Sequence, residues 1–301
     1  MSKLNKNWLG PVLERIRGQK EVRRVFHGRG KRQDGPTDLA LEWYPPVLLA
    51  LVFSEEAGER LREIESELEA EATIESLVVQ DRWVSGPPRW ECRFGEVPEA
   101  HRVFEDGFSY EIKLRDRQNP GLFLASREAR RWVRDHSEEL SVLNLFSFTG
   151  AFGVCAVSGG AEKVVQVDMK RGPLMVGKDN LRMNDLDTSG VAFWAHDILK
   201  SKGKIKRKGP WDLVILDPPT FQKGAWNIEK DLPKLIRALG EWTSEGSKVL
   251  LCVHDPFMSH QEVREWMSEG PWEVDETLEL PEGYEERDVD EGLKAIVFRR
   301  S

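Results

Sequence analysis

Cysteine is scarce in this chain: Cys92, Cys155 and Cys252 are the three among 301 residues. No pair stands in a CxxC or other metal-ligand spacing, which argues against a disulfide framework and a zinc site; no metal is expected. Long apolar runs are missing as well. From Met1 the chain opens on a polar, basic stretch with neither a signal-peptide core nor a membrane-spanning segment, so a reducing cytoplasm is the expected compartment. Internal repeats and low-complexity tracts are absent. Two nucleotide fingerprints are also missing: no GxGxxG, which disfavours a dinucleotide, and no GxxxxGK[ST], which disfavours a P-loop site. Nor is there an excess of positive charge. Fifty-two acids against 44 Lys and Arg leave a net charge of −8, a poor average for a nucleic-acid binder.

That average conceals segregation. Residues 1–35 carry ten Lys or Arg against three acids, residues 200–208 (KSKGKIKRK) six cations and no acid, and residues 262–292 thirteen acids against two Arg. Local basic patches attract phosphate even on an acidic protein; solvated loops and helix faces fit the same composition. Eleven Trp are present, and most are expected in the core or between domains.

The length is a prior for two domains. Residues 1–35 read as irregular or partly helical. Leu39 to Phe53 suits strand, broken at Pro45-Pro46. Residues 54–70 read as a helix capped by Ser54, with Leu61, Ile64 and Leu68 on one face. IESLVVQDRW, RWECRFG and FSYEIKL then suggest a small antiparallel sheet, and residues 126–139 a helix capped by Ser126. From residue 141 the pattern changes. VLNLF, KVVQVD, VAFWAHD, WDLVILD and KVLLCVH are short apolar runs separated by helix or loop, and WEVDETLEL with KAIVFRR suits a closing hairpin. This predicts an α/β fold: a doubly wound, mostly parallel seven-stranded sheet behind a smaller N-terminal α+β domain, divided as 1–120 and 121–301.

Chemistry-bearing residues collect where these strands end. The first runs into Asn144-Leu145-Phe146-Ser147-Phe148-Thr149-Gly150, a strand–turn–helix junction. Gly150, lacking Cβ, would let a ligand approach the backbone, and the helix N-terminus would face an anionic group. The second ends in Asp168-Met169, where an acid can accept from both ribose hydroxyls. The third ends in His196-Asp197, with Asp197 an acceptor for an adenine amino group. The fourth ends in Asp217-Pro218-Pro219-Thr220-Phe221. Two prolines stiffen this segment and leave carbonyls free to accept, so Asp217 or those carbonyls could hold a planar nitrogenous acceptor while Phe221 stacks on it. A single acid at a strand end can equally be a helix cap, and DPPTF a rigid turn. After the fifth strand, His254-Asp255 could orient a base or take a proton, or form an ordinary loop.

VLNLFSFTGAFGVCAVSGGAEKVVQVD, DPPTF and the upstream GLFLASREARRWV together resemble a bacterial group of 23S rRNA methyltransferases that includes makers of 5-methylcytosine and of 7-methylguanine. The resemblance covers about residues 100–301. It implies the class I fold of enzymes dependent on S-adenosylmethionine (SAM), with SAM as cofactor. Phe146 to Gly150 would line its methionine end, Asp168 the ribose and Asp197 the adenine; Phe123, Leu124 (read as strand) and Arg127 would reach over it. Asp217 to Phe221 would meet the target base. Two departures stand out. The common GLFLDxR reads here Gly121 to Leu124, then Ala125-Ser126-Arg127. The Ser-Cys-Ser nucleophile run of the 5-methylcytosine makers is replaced by Leu251-Cys252-Val253-His254-Asp255, with Cys252 inside the strand as a buried inert thiol. The resemblance therefore implies transfer to a base nitrogen, guanine favoured, without a cysteine nucleophile. The implied partner is RNA, met by Arg23, Arg24, Arg29, Lys31 and Arg32 in a glycine-containing loop and by the basic loop 200–208. A SAM-dependent enzyme acting on a protein or small molecule, and a SAM-binding module without catalysis, are the competing readings.

Overall fold

The computed structural model describes residues 6–84, 86, 88–115 and 118–301. It separates into two compact units: residues 1–124 with 281–289, and residues 125–280 with 290–301. The units are not continuous in sequence, because a late segment returns to the first.

The first unit contains α1 (Leu9–Ile16), β1 (Arg23–His27), β2 (Leu39–Tyr44), β3 (Val47–Val52), α2 (Glu55–Glu69), β4 (Ser76–Asp81), β5 (Arg89–Phe94), β6 (His101–Glu105) and β7 (Phe108–Ile112). Its main sheet runs β1-β2-β3-β4-β5. The small antiparallel sheet read from sequence is thus only part of a mixed one. β3 pairs β4 in parallel through the α2 crossover, and β7 pairs β6 in a separate hairpin. Asp106 and Gly107 both take positive φ in that hairpin's turn, as a two-residue connection requires. The Ser54 side chain accepts from Ala57 N at 3.1 Å, capping α2, and Ala57, Leu61, Ile64 and Leu68 are buried. Such a cap contributes about 1 kcal/mol.

Arg23 and Arg24, expected in an irregular loop, lie on β1. The cause is long-range pairing: every residue of β2 is buried, including Glu42. Arg24 donates to Glu42 Oε1 at 2.7 Å, and the hydroxyls of Tyr44 and Tyr284 donate to the same carboxylate at 2.9 and 3.0 Å. The Arg24 guanidinium also stacks 3.9 Å over the Tyr284 ring. Tyr284 belongs to the returning segment, which is further tied by His27 to Glu286 at 2.7 Å and by Arg287 N to Gly30 O at 2.8 Å.

The second unit contains α3 (Arg127–Asp135), β8 (Ser141–Leu145), α4 (Ala151–Ser158), β9 (Lys163–Asp168), α5 (Arg171–Met183), β10 (Val191–Ala195), α6 (Lys202–Lys208), β11 (Trp211–Leu216), β12 (Phe221–Gln222), β13 (Trp226–Asn227), α7 (Ile228–Trp242), β14 (Thr243–Val253), α8 (His260–Ser268), β15 (Trp272–Thr277) and β16 (Lys294–Arg300). Its seven-stranded sheet has the order β10-β9-β8-β11-β14-β16-β15. The first five strands are parallel and β16 runs antiparallel between β14 and β15, so the expected doubly wound sheet is present and the closing strands pair antiparallel, though joined by residues 278–293 rather than by a hairpin turn. Alternate residues serve opposite faces. Leu143, Leu145, Val214, Leu216, Val249, Leu251 and Val253 pack with α7, whereas Val142, Leu213, Ile215, Leu250 and Cys252 pack with α3 and α4. Both faces are covered, which is why these strands read as unbroken apolar runs.

Three local expectations change. The helix predicted over 126–139 spans only Arg127–Asp135, and Ser126 makes no side-chain cap; its buried hydroxyl has no partner. Phe123 and Leu124 are not strand: a short 3₁₀ turn covers Leu124–Ser126. The basic loop at 200–208 is mostly the helix α6, whose Ile205 is fully buried and anchors it. No helix among the described residues is long and apolar enough to cross a membrane.

Candidate active site at the carboxyl ends of the central strands

The strand order reverses between β8 and β11, and ligands of open α/β sheets bind outside the carboxyl ends at such a point. The loop leaving β8 is unusual in its backbone. Phe146, Phe148 and Gly150 have φ of 59°, 47° and 72°. Non-glycine residues held there cost about 1–3 kcal/mol each and persist only where their surroundings fix them. The fixing bonds are visible. Ser147 N donates to Val167 O at 3.0 Å, Phe148 N to Asp168 Oδ2 at 3.0 Å, and Asn180 Nδ2 to Thr149 O at 3.0 Å. Inside this loop the Ser147 hydroxyl is buried without a partner.

Asp168 serves both as a brace and as an acceptor. Its Oδ1 accepts from Lys170 N at 2.9 Å, and its Oδ2 from Phe148 N. One lone pair on each oxygen remains. Met169 beside it is 43% exposed. Asp197 accepts from Lys200 N at 3.1 Å and pairs with Lys200 Nζ at 3.2 Å, so it holds its own turn. His196 Nε2 lies 3.0 Å from Lys204 Nζ; because an ammonium only donates, that ring nitrogen accepts.

Two expected ligand contacts are corrected. Asn144 is fully buried within the sheet and donates to Gln166 Oε1 at 3.4 Å, which leaves it no face for a ligand. Gly150 is glycine for a different reason from the one expected. A Cβ there would meet Gln166 Oε1 at 2.7 Å and the Gly177 Cα at 3.0 Å, so protein rather than ligand fills the space.

At the next strand, Asp217 follows β11 and His254 follows the adjacent β14. His254 Nε2 lies 3.3 Å from Asp217 Oδ1, within ion-pair range but without hydrogen-bond alignment. Pro218 is buried and Pro219 and Thr220 are exposed. Phe221, on β12, is 64% exposed. The β12–β13 hairpin also delivers a residue the sequence reading missed. Trp226 is buried, its ring meets Phe146 edge-on at 4.7 Å, and its indole N–H has no partner. Arg130 was missed too: it is buried on α3 within GLFLASREARRWV. Burial pushes the Cys252 thiol well above its ordinary value, Asp217 raises it further, and Arg130 opposes. The thiol is fully buried and stays protonated at neutral pH. No group of three or more His, Cys, Asp or Glu that could hold a metal occurs among the described residues.

The model of the S-adenosylmethionine-dependent methyltransferase family matches residues 23–299. The chain belongs to that family. Among its curated relatives, ribosomal RNA large subunit methyltransferase I of Aeromonas hydrophila is 37% identical over 131 residues, covering 42% of this chain and 33% of the relative. Ribosomal RNA large subunit methyltransferase K/L of Alteromonas mediterranea is 32% identical over 202 residues, covering 65% and 28%. The matched stretch thus spans about a third of the length of these relatives. Among solved structures, a SAM-dependent methyltransferase from Streptococcus mutans superposes with a TM-score of 0.84 at 22% identity, covering 99% of this chain and 82% of that one. A complex of aTrm5 with tRNA-Leu gives 0.61 at 15%, covering 87% and 72%. These likenesses establish the fold. The family's cofactor, SAM, suits the polar groups of this chain: a carboxylate with spare lone pairs at Asp168, the unpartnered Ser147 hydroxyl and the unpartnered Trp226 indole N–H, gathered at one end of the sheet.

Proposed function

We propose that the chain methylates a base nitrogen of RNA, with a guanine of large-subunit rRNA the favoured acceptor, using SAM and no cysteine nucleophile. The observation that carries this reading is the pairing of Asp217 with His254 across two neighbouring strand ends, beside the Asp168-braced loop. Bound SAM would supply an electrophilic methyl group carried on a sulfonium. In-line displacement depends mainly on orientation, and the chain's residues supply it. Phe146, Ser147, Phe148 and Thr149 with Met169 would line the cofactor, Asp168 would accept from its ribose, and His196 with Asp197 would meet its adenine. Phe123, Leu124 and Arg127 are assigned to it on the family resemblance alone. Asp217 and the Pro218 and Pro219 carbonyls would accept from the edge of the base, and Phe221 would stack on its face. Where the attacking nitrogen carries a proton, the Asp217–His254 pair receives it. The sealed Cys252 supports a direct route rather than covalent attack on a pyrimidine ring.

The names of the curated relatives support rRNA as the substrate class. For phosphate contact we retain Arg29, Lys31 and Arg32 and, from 200–208, Lys202, Arg207 and Lys208; Lys200, Lys204 and Lys206 are engaged by Asp197, His196 and Glu241. Arg23, at 2.6 Å from Glu282, is already paired. Arg24 is withdrawn, because its guanidinium is enclosed with Glu42 and Tyr284. Mass-spectrometric mapping of rRNA modifications with and without the gene tests the reading, and an unchanged map would overturn it. Asp217→Ala should reduce methyl transfer by at least about 100-fold, the scale of acid–base and orienting contributions, with SAM affinity in calorimetry close to wild type. Full activity in that variant would show the base pocket to be misplaced. A protein or small-molecule acceptor is the second reading, favoured by the net charge of −8. Substrate binding that ignores salt would support it, since phosphate contacts give a steep salt dependence.

A further inference from the structure

Phe257 is 94% exposed. On a loose loop tip that would mean little, since single exposed apolar residues are common. Here the backbone around it is held. Phe257 N donates to Asp255 Oδ1 at 2.9 Å, and Asp255 is itself buried. The Asp255 carbonyl accepts from Lys294 Nζ at 2.6 Å, and the next residue, Met258, is buried in the core. Lys294 is fully buried on β16 and also donates to the Asp290 carbonyl. The Asp290 carboxylate in turn accepts from His260 N at 2.8 Å and lies 2.7 Å from His260 Nδ1. An ammonium withdrawn from water is costly unless its donors are used, and this one uses them to fix a loop that leaves a phenyl ring in solvent.

The location gives the ring a role. Among the described residues of the second unit, the strongly exposed aromatic side chains are Phe221 and Phe257. Phe221 follows β11, Phe257 follows β14, and the Asp217–His254 approach joins the two loops at their base. Every nucleobase has a flat apolar face, so an exposed ring carried on a held backbone stacks on unpaired bases with little regard to sequence. Bases within a duplex have no free face to offer.

We propose that Phe257 is a stacking platform for an unpaired base of the substrate strand next to the target, so that the chain selects single-stranded over duplex RNA. This rests on the RNA reading above. The test is fluorescence anisotropy with the full chain, using a labelled single-stranded RNA of roughly 12 nucleotides, within the usual site size for such surfaces, and the same strand annealed to its complement. Wild type should bind the single strand more tightly. Phe257→Ala and Phe257→Leu should weaken single-strand binding by about 10-fold or more while leaving duplex binding unchanged, and Phe257→Trp should restore it. Calorimetric SAM binding should be the same in all four proteins, which also reports that each is folded. If wild type and Phe257→Ala bind the single strand equally, or if Phe257→Leu binds as well as Phe257→Trp, the stacking role is overturned while the RNA reading stands. If wild type binds neither RNA, the RNA reading falls and this inference with it.

Discussion

Glu42 is an acid on a strand with no solvent-facing side. Burial alone would raise its carboxyl, but the Arg24 charge and hydrogen bonds from Arg24 and Tyr44 outweigh that and hold it below the ordinary range. Arg24 is correspondingly raised against its own burial. A carboxyl depressed on folding contributes stability that is complete above the unfolded value, about 4.3 for Glu, and is lost as pH falls through the lower folded value. Glu42→Gln should therefore destabilise the chain by roughly 3 kcal/mol at pH 7, as expected for breaking a buried pair. The gap to wild type should narrow towards about pH 3 in chemical denaturation, below the unfolded value. A gap independent of pH would mean the carboxyl ionises as freely as in the unfolded chain. Sequence reading assigned Arg24 to phosphate because a basic run shows charge and not partners. Glu42 looked like one polar residue in an apolar run, and Tyr284 lies 260 residues beyond Arg24. Cys252 was legible because a thiol inside an apolar strand run has one simple environment.

At the scale of elements, the loop from Phe146 to Gly150 shows how much of a site local pattern reveals. Strand, polar turn and helix were all readable, as was the acid at each following strand end. What could not be read was the reason for the glycine. Gln166 sits on β9, one strand away, and only the parallel register with β8 brings its side chain under Gly150. Gly150→Ala should cost about 1–2 kcal/mol from its left-handed backbone alone, and more from the contact with Gln166. A lower melting temperature together with weaker SAM stabilisation in the same scan is the expected outcome; a normal melt would show that the loop relaxes freely. Trp226 was missed for a related reason. It lies on a two-residue strand, too short for any periodic signal, and meets Phe146 only through the fold.

For the whole molecule, a mostly parallel sheet closed by an antiparallel pair followed from the run of apolar segments, but neither the strand order nor the return of a late segment to the first unit did. The segment 281–289 carries four acids, one Arg and a single Tyr, so it reads as an acidic loop, and its destination is invisible without Arg24 and Glu42. A fragment of residues 1–124 should consequently be less stable than the same unit in the intact chain, and Tyr284→Phe should reproduce part of the loss, about 1.5–3 kcal/mol for a hydrogen bond to a charged, buried acceptor. Proteolysis midpoints for site-specific cleavage within the first unit would measure both.

The returning segment also sets a schedule for synthesis. A ribosome that has finished the first 124 residues must add about 160 more before Tyr284 and its neighbours exist. At about 5–20 residues per second that is a delay of about 8–30 s. Throughout it the newborn N-terminal half carries Arg24 and Glu42 without their last cover. A chain stalled before residue 281 should be the form on which chaperones linger, and one released after residue 289 the form they let go.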